Sequence, residues 1–325
     1  MTQEIRHVAI IGTGVIGASW AALYLAKGLT VTATDVASGA EARLAKYIED
    51  AWPALEELGL APGASKDRWK FCDTLESAVA GADLVQENGP ERLDFKQKLY
   101  EQLDELLGAE VVIASSSSGL TMSAIQSACH RHPERCVIGH PFNPPHLIPL
   151  VELVAGSKTS AATVQRAQAF YRSLGKTTIR LNKEVPGHVA NRLQAALLRE
   201  IVYLVAEGVV DVADVDAAVS WGPGLRWASM GPLLLSHLAG GAGGIGHFFD
   251  QFTGPLTAWW AVLGSPSLSP DVRQVIADGV VVEADGRSLE QLAAQRDAVL
   301  LGLLKLRQGE AARVSGLDES APVHR

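Results

Sequence analysis

His140 and Glu152 are the residues of this 325-residue chain best suited to proton transfer. His140 closes the apolar run 137–139 and precedes Pro141-Phe142-Asn143-Pro144, a placement expected at the carboxyl edge of a strand, where open α/β sheets gather their ligands. An imidazole there exchanges a proton near neutral pH. Glu152 sits inside LVELV, a strand-like run in which a carboxylate is costly to bury without a partner, and an imidazole is the obvious one. Taken alone, such a pair is more often structural than catalytic. Ser115 to Ser118 follow another strand end and Asn191 starts a helix, so either could donate a hydrogen bond into a cleft between domains.

A second constellation suits a dinucleotide. Gly12-x-Gly14-x-x-Gly17 follows the apolar run 8–11 and opens a helical pattern. Gly12 permits a tight turn, Gly14 lets the backbone approach a pyrophosphate, and Gly17 allows the helix to pack closely on the strand, with the helix N-terminus stabilising phosphate charge. Asp35 ends the next strand-like run, where a carboxylate can accept hydrogen bonds from an adenosine ribose. No Arg or Lys follows it immediately, and its charge repels a 2′-phosphate, so NAD is expected over NADP.

The elements that must hold these residues follow from apolar patterning. Short apolar runs at 8–11, 29–34, 83–86, 111–115 and 137–139 alternate with stretches of helical character, such as 94–108, which predicts a Rossmann-like doubly wound parallel sheet. From about Gly187 a three-to-four-residue stripe takes over (Val189, Leu193, Leu197, Ile201, Leu204), and strand-like runs become scarce. The expected organisation is a nucleotide-binding domain over 1–186 and an all-helical C-terminal domain over 187–325, with a hinge at Glu184-Val185-Pro186-Gly187. Within the helical half, the glycine-rich stretch 239–246, flanked by His237 and His247, reads as a loop, 288–306 as an amphipathic helix, and the polar residues from about Gly309 as a frayed tail.

Composition excludes several classes. The formal charge of −8 opposes polyanions, so neither nucleic acid nor an anionic membrane is an expected partner. The longest apolar runs are about half the roughly 20 residues of a bilayer span, and the N-terminus lacks a cleavable-signal pattern. Three cysteines (Cys72, Cys129, Cys136) suit a reducing compartment, and a cytoplasmic location is expected. Cys129-His130-Arg131-His132 with Cys136 has metal-like residue types, but the spacing fits no common zinc pattern and no metal is expected.

Along nearly its whole length the chain resembles the 3-hydroxyacyl-CoA dehydrogenase superfamily. GTGVIG (12–17), ENGPERLDFK (87–96), ASSSSGL (114–120), GHPFNPP (139–145) with LVELV (150–154), and VPGHVANRL (185–193) stand in that family's order and at similar separations. The resemblance implies an NAD-dependent dehydrogenase and a homodimer formed largely by the helical domain. It gives His140 the role of base and Glu152 that of orienting it. Ser118 and Asn191 fall near the substrate oxygen, and Glu91 and Lys96 at the nicotinamide end of the cofactor. One segment departs from the acyl-CoA members: WGPGLRWASMGP (221–232) places Arg226 and Trp227 before Gly231-Pro232. This looks like the branch that includes L-gulonate 3-dehydrogenase, lambda-crystallin and L-carnitine dehydrogenase, which implies a small anionic 3-hydroxy acid as substrate. Arg226 could pair bidentately with a free carboxylate. Trp221, Trp227, Phe248, Trp259 and Trp260 could cage a quaternary ammonium or simply form core. Carnitine-like and gulonate-like acids remain rivals. Alternatives are a short-chain acyl-CoA substrate and a crystallin-like protein that binds NAD without catalysis.

Overall fold

The computed structural model describes residues 4–318. Eight strands form one sheet: β1 (His7–Ile11), β2 (Thr30–Thr34), β3 (Trp69–Phe71), β4 (Leu84–Glu87), β5 (Val112–Ser115), β6 (Cys136–Pro141), β7 (Leu150–Ala155) and β8 (Thr177–Arg180). Their spatial order is β3-β2-β1-β4-β5-β6-β7-β8. Six helices join them: α1 (Val15–Ala26), α2 (Ala40–Leu58), α3 (Leu75–Val79), α4 (Leu93–Leu106), α5 (Met122–Ile125) and α6 (Ala161–Ser173). Seven more follow among the described residues: α7 (Ala190–Ala206), α8 (Val212–Trp221), α9 (Pro223–Trp227), α10 (Pro232–Ala239), α11 (Gly244–Trp260), α12 (Pro270–Ala284) and α13 (Leu289–Asp318). The expected Rossmann-like sheet followed by helices is therefore present. The chain separates into two compact units, one ending at Arg192 and one beginning at Leu193.

In the first unit the sheet is buried on both faces. Val8 and Ile10 belong to one core cluster while Ala9 and Ile11 belong to the other, and Val137 and Ile138 divide in the same way. This period of two explains why the strands read as continuous apolar runs rather than as alternations. Helix α2 shows the complementary pattern, burying Leu44, Ile48, Ala51 and Leu55 along one stripe. Each large aliphatic side chain so buried contributes about 2 kcal/mol.

The sheet is not wholly parallel. β7 pairs antiparallel with β6, and β8 runs parallel to β7. A parallel return needs a crossover of roughly a dozen residues or more, whereas only residues 142–149 separate β6 from β7. The short connection forces the reversal and sets His140 directly opposite Glu152 in the ladder. The strands β3 and β8 carry no strong apolar run and were not expected from the sequence.

Two expectations in the helical unit change. The glycine-rich stretch 239–246 is not an open loop: α10 ends at Ala239, a 3₁₀ turn covers Gly241–Gly243, and α11 starts at Gly244. A Cβ on Gly240 would lie 1.8 Å from the Gly244 carbonyl oxygen, so the glycines permit a helix-to-helix approach that side chains would block. The expected tail from Gly309 continues α13 as helix through Asp318, and its last residues lie outside those described. No helix among the described residues is long and apolar enough to cross a membrane.

Candidate active site

The central pair is held by the sheet itself. His140 is 3% exposed and Glu152 0%. His140 Nδ1 lies 2.8 Å from Glu152 Oε2, while Glu152 Oε1 accepts the backbone N–H groups of Val189 and Ala190, each at 3.0 Å. Burial pushes the Glu152 carboxyl up, but the His140 ring and the Ala190 and Val189 amides outweigh it and hold its pKa below the ordinary carboxylate value. A carboxylate at Nδ1 fixes the proton on that nitrogen and leaves Nε2 bare, the tautomer of a general base. The Phe142 ring meets the imidazole edge-on at 4.8 Å between centroids.

The four serines after β5 separate by their partners. Ser115 Oγ donates to Glu87 Oε2 at 2.6 Å, Ser116 Oγ to Asn88 Oδ1 at 2.8 Å, and Ser117 Oγ to Glu91 Oε1 at 2.7 Å. Ser118 is exposed, and its hydroxyl has no partner among the described residues. Of the four it alone is free to meet a ligand. Its carbonyl accepts from Asn191 Nδ2 at 3.4 Å, which brings both sequence-predicted polar residues to one place in the first unit.

Glu91 supports this loop. Its Oε1 also accepts the N–H groups of Gly119 and Leu120 at 2.7 and 3.2 Å. Burial raises its pKa, yet the Ser117 hydroxyl, the Gly119 amide and the Lys96 charge bring the net below the ordinary value. Lys96 is 1% exposed, with its ammonium 2.7 and 2.9 Å from the two oxygens of buried Glu87 and 3.9 Å from Glu91. The cation therefore neutralises the floor of the site rather than lining its surface. Sequence reasoning missed Glu87 and Asn88, which stand inside the quoted 87–96 motif; a carboxylate ending an apolar strand was the available signal.

The glycine turn meets the requirements of a dinucleotide. Gly12 has φ +85°, and a Cβ there would lie 2.8 Å from the Asn88 carbonyl oxygen. A Cβ on Gly17 would lie 1.9 Å from Gly12 O, whereas one on Gly14 would meet nothing within 4 Å. The space a side chain would fill over Gly14 thus opens at the start of the 12-residue α1, where no side chain caps the free amides. Asp35 Oδ2 accepts the Thr13 amide at 2.6 Å and the Thr13 hydroxyl at 3.1 Å, and Oδ1 accepts the Ala37 amide at 2.9 Å. Burial pushes this carboxyl up, but the Thr13 and Ala37 amides outweigh it and keep the pKa low, so Asp35 is anionic at neutral pH. The nearby Arg43 is committed to the Ser38 carbonyl at 2.7 Å. These groups suit a 2′-hydroxyl better than a 2′-phosphate.

Arg226 and Trp227 belong to the helical unit, at the end of α9, and both are exposed. The Arg226 guanidinium has no partner among the described residues. The segment 129–136 serves packing: Asp104 accepts the amides of His130, Arg131 and His132 at 2.6–2.9 Å and pairs with buried Arg135 at 3.0 Å. Among the described residues no three His, Cys, Asp or Glu groups are arranged to hold a metal.

Comparison with known proteins agrees over most of the chain. Residues 7–185 match the 3-hydroxyacyl-CoA dehydrogenase NAD-binding domain and residues 187–263 the C-terminal domain of that family. L-carnitine dehydrogenase of Streptomyces griseus is 50% identical over 303 residues, covering 93% of this chain and 90% of its own. The Pseudomonas putida enzyme of the same name is 45% identical over 93% of this chain and 94% of its own. Among solved structures, an NAD+-dependent 5-formyl-3-hydroxy-2-methylpyridine 4-carboxylic acid 5-dehydrogenase superposes with a TM-score of 0.81 at 35% identity, covering 94% of this chain and 99% of that one. The 3-hydroxybutyryl-CoA dehydrogenase of Escherichia coli K12 gives 0.64 at 28% identity, over 85% of this chain and 57% of that one. With both domains matched in order on a sheet that sets an imidazole against a buried glutamate, the chain belongs to the 3-hydroxyacyl-CoA dehydrogenase family.

Proposed function

We propose that the protein is an NAD-dependent dehydrogenase that oxidises the 3-hydroxyl of a small free hydroxy acid to the 3-keto acid, with L-carnitine as the leading substrate. The observation that carries the chemistry is the His140–Glu152 pair, buried, ladder-matched and fixed in the tautomer of a base. L-carnitine leads because relatives bearing that name reach 50% identity across nearly the full chain. L-gulonate keeps the support of the Arg226-Trp227 segment alone.

The glycines at 12, 14 and 17 and Asp35 would hold NAD, with Glu91 at its nicotinamide end and Lys96 supporting Glu91 from below. Bound there, NAD supplies the hydride acceptor. His140 Nε2 takes the hydroxyl proton, and Glu152 stabilises the imidazolium that results. The free Ser118 hydroxyl and the Asn191 amide orient the alcohol and polarise the developing carbonyl. On the helical unit, Arg226, whose guanidinium is unpartnered, and Trp227 are the residues assigned to binding the substrate, the guanidinium suiting a free carboxylate. We assign nucleotide binding to 1–186 and substrate binding and dimerisation to 187–325. Unpaired buried cysteines support a cytoplasmic location, and exposed apolar side chains on the helical unit support a homodimer.

NAD reduction over a panel of L-carnitine, L-gulonate, 3-hydroxybutyrate and 3-hydroxybutyryl-CoA tests the reading. The expected result is turnover of carnitine above all others, with His140→Gln lowering kcat by about 10³-fold and leaving NAD affinity intact. Preference for the CoA ester would overturn the free-acid assignment, and a flat response with NAD bound would favour a crystallin-like role.

A further inference from the structure

His188 is an expensive residue in its place. It is 1% exposed and adopts φ +51°, a left-handed conformation that a non-glycine residue holds only where its surroundings impose it. Its Nε2 lies 3.0 Å from the Ser117 carbonyl oxygen, and its Nδ1 is buried with no hydrogen-bond partner. A carbonyl only accepts, so Nε2 carries the proton, and in the neutral ring Nδ1 is a bare acceptor. The ring stands 5.2 Å from that of His140.

We propose that His188 is a positioning residue of the dehydrogenase site: as a neutral imidazole it ties the serine loop to the turn that charges Glu152, and its protonation switches the site off. The inference rests on the dehydrogenase reading above. The residues beside His188 show what it joins. Val189 and Ala190 donate to Glu152, Asn191 donates to the Ser118 carbonyl, and His188 donates to the Ser117 carbonyl. One short turn thereby sets both the carboxylate behind His140 and the free hydroxyl of Ser118.

The charge state matters because proton abstraction builds a cation on His140. A neutral ring with a bare nitrogen beside it tolerates that charge, whereas a second imidazolium at this separation repels it. The titratable groups that act on His188 are His140 on β6, Glu152 on β7 and Glu91 after β4. Burial, then His140, lowers its pKa, while the Ser117 carbonyl and the two glutamates raise it; the net is below the ordinary histidine value. His188 is therefore neutral at pH 7 and gains its charge only as pH falls through that lowered value.

Two substitutions separate the tether from the titration. Gln keeps an N–H donor near the place of Nε2 and cannot titrate, whereas Phe keeps the ring and loses the donor. We expect His188→Phe to lower kcat about tenfold or more with NAD affinity within about twofold, and His188→Gln to stay within about threefold of the parent. In the Gln variant the acid limb of log kcat/KM should become less steep than the parent's, because the proton His188 takes up is no longer counted. Full activity in the Phe variant, or a Gln variant as impaired as Phe, would overturn the proposal. Nitrogen-15 spectra of the unsubstituted protein give a readout independent of turnover and of variant folding: the Nε2–H tautomer of a neutral His188 is expected at neutral and mildly alkaline pH, and an Nδ1–H or charged ring there would overturn it. Were no hydroxy acid turned over at all, the dehydrogenase reading would fall, while the spectra would still decide the state of His188.

Discussion

The two units of this chain solve the packing problem in opposite ways. In the sheet unit, core clusters cover both faces, and most buried polar side chains are matched: Glu87 with Lys96, Asp104 with Arg135, Glu152 with His140. In the helical unit, the buried apolar side chains among the described residues are four valines, Val202, Val205, Val212 and Val215. Trp221, Leu233, Leu238, Trp259, Trp260 and Val282 stand between 59% and 80% exposed. The proposed His140–Glu152 acid–base pair needs fixed geometry and a low dielectric, which the first unit supplies. The second leaves many large apolar side chains in water.

The close packing of the sheet unit gives one added methyl group opposite consequences at neighbouring glycines. At Gly17 the new Cβ would lie 1.9 Å from a backbone oxygen, and the helix must move away from the strand. Gly17→Ala is expected to lower unfolding free energy by about 3 kcal/mol. At Gly14, where φ is −60° and the space is open, alanine suits the backbone and should leave stability unchanged or raise it by about 0.5 kcal/mol. There the methyl occupies the approach of the pyrophosphate, so NAD affinity should fall at least about tenfold. Thermal melts and NAD titration of the two variants check this, and equal stability losses would break the comparison.

What the sequence revealed follows the same division. The sheet unit was legible because strands buried on both faces write uninterrupted apolar runs, and the glycine turn follows directly from steric demands. The antiparallel return of β7 could have been read from the length of 142–149, since a connection that short cannot hold a crossover. Edge strands β3 and β8 were hidden because edge positions are only half buried and carry polar residues such as Lys70 and Arg180. Ser118 was singled out in the sequence by resemblance alone; the physical reason, partners that occupy its three neighbours and leave its hydroxyl free, is visible only in the structure. His188 was written as one letter of a motif; its chemistry depends on a backbone angle and a neighbour 48 positions away, neither of which patterning exposes.

The close packing of the sheet unit also sharpens the comparison through pH. Lys176 is 7% exposed, donates to the carbonyls of Pro145 and Ile148, and lies 5.2 Å over the Trp20 ring. Burial, with a smaller contribution from Lys27, pulls its pKa down to about 7. The unfolded chain, with a lysine near 10.4, then binds more protons than the native state between about pH 7 and pH 10, so stability due to this residue rises across that window. Below pH 7 both states are protonated and the dependence ends. Relative to Lys176→Met, the parent should gain roughly 2 kcal/mol between pH 7.5 and 9.5 in urea unfolding. Parallel curves would mean that the lysine keeps its charge and that this interior is wetter than its packing indicates.

The smallest expected stability effect belongs to the helical unit, and there its smallness is the point. Trp260 is 64% exposed and Trp259 59%, near the end of α11. In a unit that closed its own core, Trp260→Glu would change the unfolding free energy of the isolated chain by about 0.5 kcal/mol or less, as exposed substitutions do. If a second copy covers this surface, the same change buries a charge against the partner, and the dimer should dissociate at concentrations where the parent stays associated. Sedimentation separates these outcomes, because only association responds to protein concentration. Loss of the dimer with an unchanged melt of the monomer would establish that the exposed apolar face of the second unit is the counterpart of the closed core in the first. A variant that remained associated would move the interface elsewhere on the chain.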